Sequence, residues 1–213
     1  MIDDRLFYLC DHCRFVFTPK TLSSCEEKQH YESQHLGEYD WLTVGRVCLK
    51  LAGMYKDPAD IRKILDYGAG AGYLTDSLRL HGFQVDSYEP MYDGVLSVKT
   101  CANYDLVILH EVIEHIDDIH GTFKSIYDLS GDNAVIIIVT CLTDNLLHEE
   151  CDFVMRFNEW WYKNDKTHIS FFSSRTFSCL CQRTGQFWLK LLSTFGGGVV
   201  LQVCKQAETG QRC

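Results

Sequence analysis

The stretch Ile64-Leu65-Asp66-Tyr67-Gly68-Ala69-Gly70-Ala71-Gly72 decides the fold, because an apolar strand ends there in a carboxylate and a glycine-rich turn. A helical pattern, Tyr73 to His81, follows at once and is stopped by Gly82. Strand, turn and helix in this order form the ligand-binding edge of an open α/β sheet. Gly68, Gly70 and Gly72 carry no β-carbon, so the backbone can turn sharply and admit a ligand closer than any side chain permits. A second strand, Gln84 to Tyr88, ends in Glu89, twenty-one residues after Gly68. A carboxylate at the tip of the neighbouring strand stands where the ribose hydroxyls of a bound adenosine need an acceptor.

The glycine spacing separates two cofactor classes. A dinucleotide site uses Gly-x-Gly-x-x-Gly, with the pyrophosphate on the helix N-terminus. Here the order is Gly-x-Gly-x-Gly after Asp66, and a carboxylate there repels a pyrophosphate but suits a sulfonium or an amino group. These residues resemble the class I S-adenosylmethionine (SAM) methyltransferases, whose first motif has the form (E/D)-x-G-x-G-x-G and whose second strand closes in an acid. The resemblance implies SAM as cofactor, with Asp66, Gly68, Gly70, Gly72, Glu89 and Glu111 holding it. It also implies a Rossmann-like α/β sheet of seven strands, mostly parallel, with the last strand antiparallel.

The rest of the chain fits that architecture. Strands at Leu106 to Leu109 and Ala134 to Thr140 alternate with a helix at Ile119 to Leu129, and fully apolar strands imply a parallel sheet covered on both faces. A helix from Ser174 to Arg183 precedes a closing hairpin, Phe187 to Leu192 and Val199 to Val203, around a Gly-Gly-Gly turn. Between Glu89 and Asp105 there is room for only a short helix and a short strand near Val95 to Val98, which puts the third strand in question. Helical patterns at Glu26 to His35 and Tyr39 to Met54 precede the core, the second with Trp41, Val44, Val47, Cys48 and Leu51 on one apolar face. The expected organisation is a knuckle-like segment 1–25, helices over 26–57 and a SAM-binding domain over 58–213.

A second dense stretch is Tyr104-Asp105-Leu106-Val107-Ile108-Leu109-His110-Glu111-Val112-Ile113-Glu114-His115-Ile116. Its strand delivers His110 and Glu111 to the carboxyl edge of the sheet, where ligands bind, with Glu114 and His115 one turn further on. Similar Glu-x-x-Glu-His segments occur in ubiquinone-biosynthesis O-methyltransferases and small-RNA 2′-O-methyltransferases, where the motif and a later histidine are associated with a divalent cation. That resemblance implies a cation site of Glu111, Glu114, His115 and His168. Two carboxylates and two imidazoles form a mixed oxygen and nitrogen site for Mg²⁺, Mn²⁺ or Zn²⁺. Two other readings stay open: the segment shapes the cofactor pocket, or His115 or His168 works as a metal-free catalytic acid or base.

Tyr8-Leu9-Cys10-Asp11-His12-Cys13 has the Cys-x-x-Cys spacing that lets two thiolates grip one zinc ion, although a plain thiol pair satisfies it too. Most of the eleven cysteines lie singly in apolar segments and read as reduced core residues. The connection Cys141 to Ser173 far exceeds the usual length of about two to six residues and reads as a lid. Phe153, Met155, Phe157, Trp160, Trp161 and Tyr162 crowd into it, as walls of a small-molecule pocket or as core. Cys10 and Cys13, Phe15-Val16-Phe17-Thr18-Pro19, Tyr88-Glu89-Pro90, the Glu-Val-Ile-Glu-His segment and Trp160-Trp161-Tyr162 together look like bacterial methyltransferases of unassigned substrate.

Composition narrows the partners. A net charge of −9 leaves no broad basic field for nucleic acid, which favours a small-molecule acceptor. No apolar run approaches the roughly 20 residues of a membrane span, and the N-terminus lacks a signal-peptide pattern, so a cytoplasmic protein is expected. The reading is SAM-dependent methyl transfer to an oxygen of a small molecule. A catalytically silent SAM-binding or zinc-scaffold protein and an NAD-dependent oxidoreductase are the alternatives.

Overall fold

The structure, a computed structural model, describes residues 5–33, 39–90, 103–146, 153–183 and 187–205. In chain order its strands and α-helices are β1 (Tyr8–Leu9), β2 (Val16–Phe17), α1 (Ser24–Ser33), α2 (Trp41–Gly53), β3 (Lys63–Tyr67), α3 (Tyr73–Leu80), β4 (Gln84–Tyr88) and β5 (Tyr104–His110). Then come α4 (Ile119–Leu129), β6 (Ser130–Val139), α5 (Phe153–Glu159), β7 (Ser170–Phe171), α6 (Ser174–Arg183), β8 (Leu189–Phe195) and β9 (Gly198–Val203).

The main sheet runs in the order β4-β3-β5-β6-β9-β8. The first four strands pair in parallel, and β9 enters antiparallel between β6 and β8. The described residues thus hold six of the seven expected strands; the strand expected near Val95 to Val98 lies outside them. Alternation along each strand sends side chains to two buried layers. On β3, Ile64 packs with Leu74 and Leu78 of α3 and with Cys48 and Ala52 of α2. Leu65 and Tyr67 face Phe123 and Ile126 of α4 and Phe177 of α6. Residues 134–138 of β6 are fully buried, as a central parallel strand requires.

Asp40 caps α2, accepting from Thr43 N at 3.2 Å and Thr43 Oγ1 at 2.6 Å. The helix therefore starts at Trp41, and Tyr39, which the periodicity put inside it, stands free of the helix.

The N-terminal segment and the long insertion do not stand apart from one another. β1 and β2 form a hairpin, and β2 pairs with β7, Val16 opposite Phe171 and Phe17 opposite Ser170. Between this small sheet and α5 lies a third apolar cluster of Val16, Leu146, Phe157, Tyr162 and Phe171. Phe157 and Tyr162 are only 4% and 2% exposed, so these rings are core rather than the walls of an open pocket. The hairpin needs an apolar partner, and the insertion supplies it. Trp161 and Met155 do face solvent. No described helix is long and apolar enough to cross a membrane.

Candidate active site

At the carboxyl edge of β3 the backbone enters the left-handed region three times, at Gly68, Gly70 and Gly72, with φ of +78°, +53° and +85°. The turn closes onto the tip of β4: Gly68 N and Ala69 N donate to Tyr88 O at 2.7 and 3.0 Å, and Gly70 N donates to Glu89 Oε2 at 2.9 Å. A cleft of about 330 Å³ opens against residues 69–72, Thr75, Arg79, Ser87 and Glu89. A β-carbon at Gly68 would stand 2.4 Å from Val112 Cγ2. Glycine is required there by the chain's own packing, a reason that the motif alone does not reveal.

Asp66 is 2% exposed and accepts a 2.6 Å hydrogen bond from Thr75 Oγ1 in the first turn of α3. Burial pushes its carboxyl up to about 6, against the opposing pull of the Thr75 bond. This bond ties the strand end to the helix and fixes the turn between them.

Two strands away from the β4 tip, His110 ends β5, and Glu111 follows with φ +53°, a conformation costly for a side chain of that size. A bond from Glu111 N to Val139 O at 3.0 Å holds it there. Glu114 is fully buried. Tyr162 OH reaches both carboxylates, at 3.0 Å from Glu111 Oε2 and 2.5 Å from Glu114 Oε1, and Thr140 Oγ1 donates to Glu114 Oε2 at 3.1 Å. Burial, then the charge of Glu114, raises Glu111 to about 8, and burial raises Glu114 as well. Two carboxyls in one dry pocket resist ionising together.

The two histidines face the same place. Their rings meet edge to face at 4.7 Å, and His168 lies 4.2 Å from the ring of Tyr162. His115 Nδ1 donates to Thr167 O at 3.1 Å and His168 Nδ1 to Tyr162 O at 2.8 Å. A carbonyl only accepts, so both rings carry the proton on Nδ1 and keep the Nε2 lone pair for a ligand or a proton. Burial lowers both, His168 to about 4 with help from His115, so both are neutral at pH 7. One ligating atom each from Glu114, His115 and His168 lies within a 4.8 Å cluster, the one such group of three or more among the described residues. Glu111 joins through Tyr162. The four residues singled out around the Glu-x-x-Glu-His motif therefore converge. Cys10 and Cys13 belong instead to the β1–β2 turn.

Three rings that the motifs do not reveal, Tyr39, Trp41 and Tyr73, gather beside this site around His110. Trp41 stacks with Tyr73 at 6.1 Å and meets His110 at 5.5 Å, and Tyr39 contacts Trp41 at 5.3 Å and His110 at 5.7 Å. Burial and then the nearby Glu111 raise the Tyr39 phenol. The available signal for Tyr73 is positional, since it follows Gly72 directly. Tyr162 was noted only as one of many aromatics.

A family model described as a methyltransferase domain matches residues 40–186, more than half of the chain, and the chain belongs to that family. It is a class I SAM-dependent methyltransferase. Among solved structures it resembles the plantazolicin methyltransferase BpumL bound to a monoazolic desmethylPZN analog and SAH, with 12% identity, 85% of this chain and 92% of that chain covered, and a TM-score of 0.58. It also resembles a SAM-dependent methyltransferase of Thermotoga maritima, described as a possible histamine N-methyltransferase, with 16% identity, 83% and 99% coverage and a TM-score of 0.50. At these identities the likeness speaks to fold. None of the curated proteins matches the chain. The family sets aside the NAD-dependent reading.

Proposed function

We propose that the protein transfers the methyl group of SAM to an oxygen of a small molecule, with a divalent cation held by Glu111, Glu114, His115 and His168. The observation that carries this reading is the meeting of the buried Glu114 carboxyl with two neutral imidazoles, the part-buried Glu111 joining it through Tyr162. Carboxyls so buried stay protonated on their own, whereas a doubly charged ion offsets the cost of ionising both. The imidazoles already have their Nδ1 protons directed at carbonyls, the form in which histidine ligates.

Residues of the chain divide the remaining work. The backbone of Gly68, Gly70 and Gly72 with the Glu89 carboxylate would hold the cofactor, Asp66 would fix the turn through Thr75, and Glu111 would border its reactive end. SAM, when bound, supplies an electrophilic methyl group, and a cation, when bound, lowers the pKa of an acceptor hydroxyl. Transfer is an in-line displacement, so the protein chiefly orients the acceptor and excludes water. Where no cation takes it, the Nε2 lone pair of His115 or His168 can receive the acceptor proton. The net charge of −9 favours a small acceptor over nucleic acid.

The test is release of S-adenosylhomocysteine across a panel of hydroxyl, amine and carbon acceptors, with and without a chelator. The expected result is turnover with hydroxyl acceptors that the chelator abolishes and Mn²⁺ restores. Chelator-insensitive transfer to amine or carbon acceptors would overturn the proposal.

A further inference from the structure

One short segment, residues 162–168, supplies both carbonyls that set the two histidines. Tyr162 O takes the Nδ1 proton of His168 at 2.8 Å, and Thr167 O takes that of His115 at 3.1 Å. Within the segment, Asp165 Oδ1 accepts from Thr167 N at 2.8 Å and from Thr167 Oγ1 at 2.6 Å, a bend that aims the Thr167 peptide. Just past its end, Ile169 N donates to Glu114 O at 2.8 Å and Ser170 Oγ to Ile116 O at 3.2 Å. The segment is therefore laid against the Glu-x-x-Glu-His motif.

The side chain that bridges this segment comes from far away in sequence. Arg5, ahead of β1, donates from Nη1 to His168 O at 3.0 Å and from Nη2 to Lys163 O. Each of these carbonyls lies one residue beyond a carbonyl that holds a histidine: Lys163 O follows Tyr162 O, and His168 O follows Thr167 O. A guanidinium is a planar fork, so its two bonds fix the separation of the two ends of the segment. With it they fix the separation of the imidazoles, whose rings meet at 4.7 Å. Phe7 sets the fork in place, its ring lying 5.1 Å from the guanidinium and packing on Phe157 and Phe171 at 5.2 and 5.9 Å.

We infer that Arg5 is a positioning residue for the His115 and His168 pair: by bridging Lys163 O and His168 O it holds both imidazoles in the Nδ1-protonated form, with the Nε2 lone pairs kept for a ligand or a proton. The inference rests on the role proposed above for the two histidines. Arg5 acts through the segment and not on the reacting atoms. An ammonium in its place keeps the charge, but it is one compact head on a flexible stem and does not hold two carbonyls at a set separation.

Long-range ¹H–¹⁵N correlation spectra of the chelator-treated full chain read the tautomer of each imidazole and need neither turnover nor a cation. In the parent, His115 and His168 should both appear as Nδ1–H tautomers. In Arg5→Met, which keeps an unbranched stem beside Phe7, at least one of them should become a mixture, and in Arg5→Lys the change should be present but smaller. His81, whose Nδ1 donates to Ser77 O at 2.8 Å, is the internal control and should keep its tautomer throughout. Mn²⁺ affinity, read from the free-ion EPR signal, should fall about tenfold in Arg5→Met. Histidine spectra or an affinity that Arg5→Met leaves unchanged, a change that His81 shares, or an Arg5→Lys chain indistinguishable from the parent would overturn the inference. Should Arg5→Met fail to fold, Arg5→Lys decides alone. A parent that binds no Mn²⁺ overturns the cation reading instead, and the tautomer spectra still decide the role of Arg5.

Discussion

Replacing Asp66 with asparagine should make the protein more stable at neutral pH, because burial makes the ionised aspartate a liability. Its carboxyl sits at about 6 in the folded chain against an ordinary value of 3.8. Each pH unit of such a shift is worth about 1.4 kcal/mol, so the gap amounts to about 3 kcal/mol. The folded pKa is the raised one, so the aspartate's contribution is intact below pH 3.8, drains away as pH climbs to 6, and is fully lost above that. Asparagine cannot ionise, and its amide oxygen can still accept the Thr75 hydroxyl proton. Urea unfolding of parent and variant across pH 4 to 8 measures the difference, in which every other titrating group cancels. The stability of the variant relative to the parent should rise by roughly 2 to 3 kcal/mol between the ends of that range. A difference that stays flat with pH, or falls, would refute the reasoning.

Further outcomes follow from the same geometry. Gly68→Ala should cost more than the ~1 to 2 kcal/mol of left-handed strain, because of the 2.4 Å approach to Val112, and Val112→Ala in the same chain should recover part of it in a double-mutant cycle followed by denaturation. Gly70→Val should abolish SAM binding with the sheet intact, and Glu89→Ala should weaken it by about 1 to 3 kcal/mol, both read by calorimetry with circular dichroism as the folding control. Tyr162→Phe leaves Glu111 and Glu114 without their shared donor, and thermal unfolding should report a loss of roughly 1 to 3 kcal/mol. His168, held neutral down to about 4, disfavours the folded state as pH falls from 6.5 toward 4, so His168→Asn should flatten the acid limb of the stability profile.

The fold was legible where local chemistry and packing agree. The strands 64–67 and 84–88 and the closing hairpin carry their own turn residues and apolar patterns, and the structure holds them in the expected sheet. The gathering of Glu114, His115 and His168, with Glu111 joined through Tyr162, is legible because the segment after one strand carries three of the four and a resemblance points to His168. What local pattern could not carry was long-range pairing. Nothing in Phe15 to Phe17 announces that Val16 lies opposite Phe171, so the pattern leaves the rings of the insertion open between pocket wall and core, and the hairpin makes Phe157 and Tyr162 core. Tyr39 and Trp41 were likewise absorbed into a helical stripe. Only the cap by Asp40 separates Tyr39 from that helix and sets it over His110.

The most direct test of the whole account is a crystal grown with S-adenosylhomocysteine and Mn²⁺, with anomalous scattering recorded at the manganese edge. The account predicts a single strong peak within coordination distance of Glu114, His115 and His168, with the nucleoside seated between the glycine turn and Glu89 and its sulfur directed at that peak. A nucleoside lodged elsewhere, or a cluster that stays free of manganese while the nucleoside is bound, would contradict it.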